Sequence, residues 1–268
     1  VVDHPTYPLA IAAIQGALCR PVGVSLPETG WDTDGFAATL AQTAPRLAYL
    51  MPDFHIPTGR CMDAATRQTI TDIAAQTRTT LVVDETMVDL WFDVPPPPPL
   101  AAFNPEATVM TLGSAGKSFW GGLRLGWIRA SSRTIATLAQ TRDTLDLGSP
   151  VLEQLATLWL IENSATFLPA RRQMLAERRD RCGQMLREHF PEWRFQEAEG
   201  GLSYWIELPG MLATQLAARA ETTGIIMGTG TRFGLSGAFD RYLRMPFSLS
   251  PPELEEALLR IKPLWLAL

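Results

Sequence analysis

Three cysteines and three histidines are all that this 268-residue chain has of the softer metal ligands. Cys19, Cys61 and Cys182 are odd in number and widely spaced, which excludes a disulfide scaffold, and with His4, His55 and His189 they form no zinc spacing, so no metal is expected. A reduced, cytoplasmic protein is the simple expectation. Basic excess is missing too. Lys and Arg number 23 against 28 Asp and Glu, a net charge of -5 that leaves no basic face for nucleic acid. No apolar run reaches membrane-spanning length and no signal-peptide pattern opens the chain. There is no internal repeat, no Gly-x-Ser-x-Gly, no Walker loop and no dinucleotide fingerprint. The histidines show no triad, and His55, beside a Pro-Thr-Gly turn, reads as a buried, satisfied side chain.

What is present is a core. Hydrophobic residues make up 46% of the chain, which excludes disorder and is enough for one large domain or two modest ones. Short apolar runs at Val1-Val2, Val22–Leu26, Leu47–Met51, Thr80–Val83, Thr108–Leu112 and Leu125–Arg129 read as strands. Helical patterns lie between them, among them Pro8–Leu18 and Ala64–Thr77, with Pro8 suited to a first helical position and Asp63 to an N-cap. Such alternation predicts an α/β fold with a mostly parallel sheet covered on both faces. Val1-Val2-Asp3 reads as the end of a strand with no turn before it, so an earlier part of the protein is expected.

A second region follows, with helices over Ser132–Leu147, Val151–Glu162, Pro169–His189 and Leu212–Thr222. Strands are expected at 200–208 and Tyr242–Phe247. A closing helix, Pro252–Lys262, is expected to stop at Pro263. The division is therefore a large α/β domain over 1–160 and a small α+β domain over 161–268. Val94–Leu100, with five prolines, must be extended polyproline II, either a stiff surface loop or a ligand for a partner domain.

Ligands in parallel sheets sit at the carboxyl ends of strands. Here those ends are Asp3–Tyr7, Pro52–Gly59, Asp84–Met87 and Gly113–Lys117. Lys117 stands among small and hydroxylated residues directly after a strand, where an amine can form an imine with an aldehyde. Arg124, seven positions on among glycines, has a planar fork suited to phosphate and is a cation able to depress the amine's pKa. Pyridoxal phosphate carries an aldehyde and a phosphate on one ring. Ser114 reads equally as a phosphate donor or a turn-stabilising hydroxyl. Asp84 ends a strand, where a carboxylate can keep a pyridinium protonated, and Glu85 competes for that role; adjacent residues point opposite ways, so only one faces the ring. Tyr7 is either a ring-stacking aromatic or a core tyrosine. Arg244, on a strand between Leu243 and Met245, is either a clamp for a substrate carboxylate or an exposed arginine, with Arg241 and Arg232 as rivals.

Taken together, these segments resemble fold-type I pyridoxal-phosphate enzymes of the aspartate aminotransferase superfamily. More narrowly, they resemble the aminotransferase-like domain of MocR-type regulators in the GntR family. The resemblance runs through nearly the whole chain: Asp3–Pro8 for the ring-stacking aromatic, Pro52–Gly59 for an Asn-Pro-Thr-Gly turn, Val83–Thr86 for the pyridine aspartate, Ser114–Arg124 for the Schiff-base lysine and phosphate arginine, and Leu243–Met245 for the carboxylate arginine. It implies that Lys117 is catalytic and that Tyr7, Asp84, Ser114, Lys117 and Arg124 hold the cofactor, with Arg244 on an amino or keto acid. It also implies a homodimer, and DNA contact only through an upstream winged-helix domain that this chain does not contain.

Three departures stand out. Ile56 and Met87 replace an asparagine and a tyrosine that bond the cofactor's phenolic oxygen, which should alter the internal imine's pKa and slow transamination. The first sheet strand and the phosphate-cradling helix N-terminus should precede Val1. Three functions are consistent with this pattern: a ligand-sensing regulator domain, a free-standing aminotransferase, and a truncated, cofactor-free remnant.

Overall fold

In the computed structural model, which describes residues 1–146 and 148–268, six strands lie side by side in one sheet. They are β1 (Val2–His4), β2 (Gly23–Ser25), β3 (Leu47–Leu50), β4 (Thr80–Asp84), β5 (Val109–Ser114) and β6 (Gly126–Arg129), in the spatial order β2-β1-β3-β4-β5-β6. Strands β1 to β5 run parallel and β6 is antiparallel. Val2, Leu50, Leu81 and Val83 are buried, as both-face coverage requires.

The connecting helices are α1 (Pro8–Gly16), α2 (Thr33–Thr43) and α3 (Ala64–Thr77), then the single turn α4 (Ala115–Ser118), α5 (Ser132–Arg142) and α6 (Val151–Glu162). Asp63 caps α3 as expected, accepting from Thr66 N, and Asp32 caps α2 in the same way through Gly35 N. Helix α2 went unnamed in the sequence reading: Phe36 and Leu40 are its only described buried residues, too weak a period to stand out. The expected helix over Ser132–Leu147 ends at Arg142, and Leu147 lies outside the described residues.

The second sheet is antiparallel, in the order β7-β8-β10-β9, from β7 (Arg194–Phe195), β8 (Ser203–Glu207), β9 (Gly228–Thr229) and β10 (Tyr242–Pro246). Helices α7 (Ser164–His189), α8 (Ala213–Glu221) and α9 (Pro251–Leu266) cover one of its faces. Met185, Leu216 and Leu258 pack there against Tyr204, Ile206 and Leu243. Two expected boundaries were wrong. Helix α7 begins at Ser164 with Pro169 inside it, and α9 runs through Pro263. In both cases the carbonyl freed by proline, that of Ala165 or Leu259, belongs to an exposed residue, so water can replace the lost bond.

Strand β6 forms an edge whose four residues are all exposed. No described residue of α5 is buried, and α6 presents Leu152, Leu155, Leu158 and Trp159 to solvent. Among the described residues no helix is long and apolar enough to cross a membrane.

Candidate functional site at the carboxyl ends of the large sheet

At the end of β5 the Ser114 hydroxyl accepts from Gly116 N at 3.1 Å and starts the turn α4, which carries Lys117. A side chain at Gly113 would require Trp127 on β6 to move, because its Cβ would lie 2.1 Å from that indole. The Lys117 backbone is held from two sides. Arg171 Nη2 donates to its carbonyl at 3.0 Å, and the next residue, Ser118, donates from Oγ to Asp89 Oδ2 at 2.6 Å. Ser114 therefore does cap a turn, but its hydroxyl proton stays available. Arg124 is exposed, sits in left-handed backbone at φ 52°, and its Nη1 makes only a long 3.5 Å contact with Gly121 O.

Asp84 closes β4 with both oxygens engaged. Oδ2 accepts from Tyr49 Oη at 2.6 Å and Oδ1 from Thr86 N at 3.0 Å. Glu85 turns elsewhere: its Oε1 accepts from Leu100 N at 3.1 Å and fastens the end of the proline-rich loop. Burial pushes the Glu85 carboxyl up. The same loop is tied at Pro98, whose carbonyl accepts from Arg67.

On β10, Leu243 and Met245 point into the core between the second sheet and its helices, and Arg244 lies opposite Trp205 of β8 on the other face. Arg244 Nε is buried and has no hydrogen-bond partner among the described residues. Burial lowers the Arg244 pKa, with Tyr7 acting in the opposite direction. Of its rivals, Arg241 is exposed and pairs with Glu207 at 3.4 Å, and Arg232 is exposed.

Burial depresses the Lys117 pKa most; the Arg244 charge adds to that, Asp84 opposes it, and Arg124 contributes a smaller push in the same direction as Arg244. The cation expected to depress Lys117 was Arg124, but Arg244 is the stronger one. Tyr7 is half-buried just before α1 and acts electrostatically on both Arg244 and Tyr49. A separate cavity of about 440 Å³ opens in the cleft beside Pro5, Arg60, Phe239 and the stacked Trp205–Tyr242 pair, and neither Lys117 nor Asp84 lines it.

His55 corrects one expectation. Its Nδ1 meets Thr58 Oγ1 at 3.0 Å, but Nε2 has no hydrogen-bond partner among the described residues and stands 3.7 Å from Asp3 Oδ2. Burial pushes its pKa down to about 3, and the buried Asp3 carboxyl is pushed up to about 7, so the pair is not ionic at neutral pH in the ordinary sense. Sequence reasoning missed Tyr49, Asp89 and Arg171. A tyrosine within Leu47–Leu50 reads as a strand former, and the other two act only through contacts distant in sequence.

The model of the family described as "Aminotransferase class I and II" matches residues 1–261. The chain is 29% identical over 214 residues to the uncharacterized helix-turn-helix-type transcriptional regulator YisV of Bacillus subtilis, an alignment that covers 77% of this chain and 43% of the regulator. It is 28% identical over 254 residues to the 2-aminoadipate transaminase of Thermus thermophilus, covering 92% and 64%. Its fold matches the crystal structure of LysN, an alpha-aminoadipate aminotransferase from Thermus thermophilus complexed with N-(5'-phosphopyridoxyl)-L-leucine, with a TM-score of 0.91 at 27% identity, covering 98% of this chain and 69% of that one. The chain spans about half the length of the regulators it matches.

Proposed function

The chain belongs to the aminotransferase class I and II family, and from that premise we propose that it binds pyridoxal 5'-phosphate at Lys117 and reads an amino acid as the effector domain of a helix-turn-helix regulator. The single observation behind this is the placing of Lys117 on the turn that Ser114 caps at the end of β5, beside the end of β4 that carries Asp84.

The residues fit that cofactor. The amine is depressed toward its neutral, nucleophilic form. The Asp84 carboxylate has lone pairs beyond the two its partners use. Among the described residues the Ser114 hydroxyl proton and most Arg124 donors are uncommitted, and a buried guanidinium nitrogen at Arg244 lacks a partner. When bound, pyridoxal phosphate supplies an electron sink for breaking bonds at the α-carbon of an amine. In this reading Lys117 Nζ would hold the aldehyde carbon and, once the ligand's amine has taken its place there, would be free to move the proton at the ligand's α-carbon. Asp84 would hold a proton on the ring nitrogen, Tyr7 would stack on the ring, and Arg124 with Ser114 would grip phosphate. Arg244 orients the amino or keto acid through its carboxylate.

The reading extends beyond the site. We divide the chain into a large domain over 1–160, which contains the six-stranded sheet, and a small one over 161–268, which contains the four-stranded sheet. The apolar face of α5 and α6 is consistent with a homodimer, and three free cysteines with the cytoplasm. DNA contact would run through a winged helix upstream. The regulator reading draws on relatives named as regulators and on Ile56 and Met87, buried apolar residues that offer no donor to a ring oxygen. A second reading, an aminotransferase in its own right, draws on the transaminase and LysN likenesses. An upstream winged-helix sequence together with slow turnover of amino acid and keto acid supports the first, and fast turnover without such a sequence the second.

Two results are expected. Arg244→Gln should weaken the spectral response of the cofactor-bound protein to added amino acids by about 10²-fold, the scale of unpairing a buried charge. An unchanged response would remove Arg244 from the site. Ile56→Asn should lower the pH midpoint of the visible-band titration, because a donor near the ring oxygen favours its anionic form. A midpoint that stays put or rises would count against the assignment of this position.

A further inference from the structure

Tyr49 is 6% exposed, on a strand flanked by β1 and β4, with its backbone opposite Val2 and Val82. Its phenol reaches the Asp84 carboxylate at 2.6 Å. Burial above all, then the Asp84 charge, holds the phenol proton firmly in place, so Tyr49 acts as a permanent donor. Aspartate has a broad, two-fold terminal torsion. A carboxylate at a strand end therefore has no preferred aim unless its oxygens are pinned. Here Tyr49 pins one and Thr86 N the other. The remaining charges around the pair come from several elements: Lys117 from α4, Asp53 from the loop after β3, and Asp3 from β1 and Tyr7 from the turn before α1, the last two acting on the phenol.

We propose that Tyr49 is a positioning residue of the cofactor site, fixing the plane of the Asp84 carboxylate so that its free lone pairs meet the ring nitrogen of bound pyridoxal phosphate. This rests on Asp84 being the ring-nitrogen partner. Tyr49 touches neither ring nor substrate and works through Asp84 alone. Its effect must therefore vanish when Asp84 no longer carries charge.

The test is equilibrium binding of pyridoxal phosphate to the cofactor-free chain, followed by tryptophan fluorescence, in wild type, Tyr49→Phe, Asp84→Asn and the double variant. Tyr49→Phe keeps the ring and removes one hydrogen bond to a charged group, so the dissociation constant should rise roughly ten- to a hundredfold. In the Asp84→Asn background the same change should alter it less than about twofold, the mark of two residues acting as one unit. An equal loss in both backgrounds would overturn the proposal. The visible band gives a second readout: its pH midpoint should move in Tyr49→Phe but not in Tyr204→Phe, a comparable loss of a buried phenol in the small-domain core. If Asp84→Asn holds no cofactor, this midpoint alone decides, and an unchanged value overturns the proposal. Failure of the underlying reading looks different: the wild-type chain would show no cofactor band, or Lys117→Ala would keep one.

Discussion

Lys117→Ala should abolish the visible absorbance band that the chain acquires with pyridoxal phosphate. It should also lower any amino-group turnover by at least about 10²–10⁴-fold, the range for losing a positioned proton-transfer group. The fold should survive, because what fixes this turn is not the lysine side chain. Arg171 holds the main-chain carbonyl, Ser118 holds Asp89, and Ser114 caps Gly116. The alanine also removes a half-buried ammonium from the field of Arg244 and Arg124. The melting temperature should therefore stay level or rise. Absorbance spectra and a thermal melt on the same sample test both halves. A persisting band would take Lys117 out of the site, and a collapsed melt would mean that the lysine is structural.

Arg67→Met should be the most damaging substitution away from the site. The guanidinium is fully buried and each of its three nitrogens donates a hydrogen bond. Nη2 pairs with the equally buried Asp53 at 2.6 Å, Nε bonds Met62 O at 2.9 Å, and Nη1 bonds Pro98 O at 3.1 Å. Burial raises the Asp53 pKa and Arg67 opposes that rise, so removing the arginine strands an acid in the interior. Breaking such a pair from one side costs about 3–5 kcal/mol, which for a chain of this length lowers the melting temperature by roughly 10 °C. Asp53→Asn should cost less, since the amide oxygen still accepts. Chemical denaturation midpoints would measure the difference, and a loss below about 1 kcal/mol for Arg67→Met would mean that the interior relaxes around the vacancy.

The candidate site was legible where its proposed chemistry is written locally. Lys117 lies in a run of glycine and serine after a strand, Asp84 closes another strand, and Arg244 alternates with two apolar neighbours. Each of those signals is contained within about ten residues. Arg67 was not legible, because its polar neighbours in α3 look like a solvated face, and only the distant Asp53 and Pro98 explain its burial. Tyr49 was hidden for the same reason: its partner lies 35 residues away. The choice between Asp84 and Glu85 needed coordinates, since parity along a strand says that they diverge but not which way each goes. The helix bounds at Pro169 and Pro263 were misjudged because proline reads as a start in the first case and a stop in the second, whereas a solvent-facing carbonyl makes it tolerable inside a helix.

The bare flank formed by β6, α5 and α6 makes concentration a variable in its own right. Leucines 152, 155 and 158 with Trp159 lie open to water on the apo chain, and whatever covers them contributes free energy through mass action. A second copy seated there would tie the turn that carries Lys117 to protein concentration, since β6 is the strand whose Trp127 lies against Gly113, four residues from that lysine.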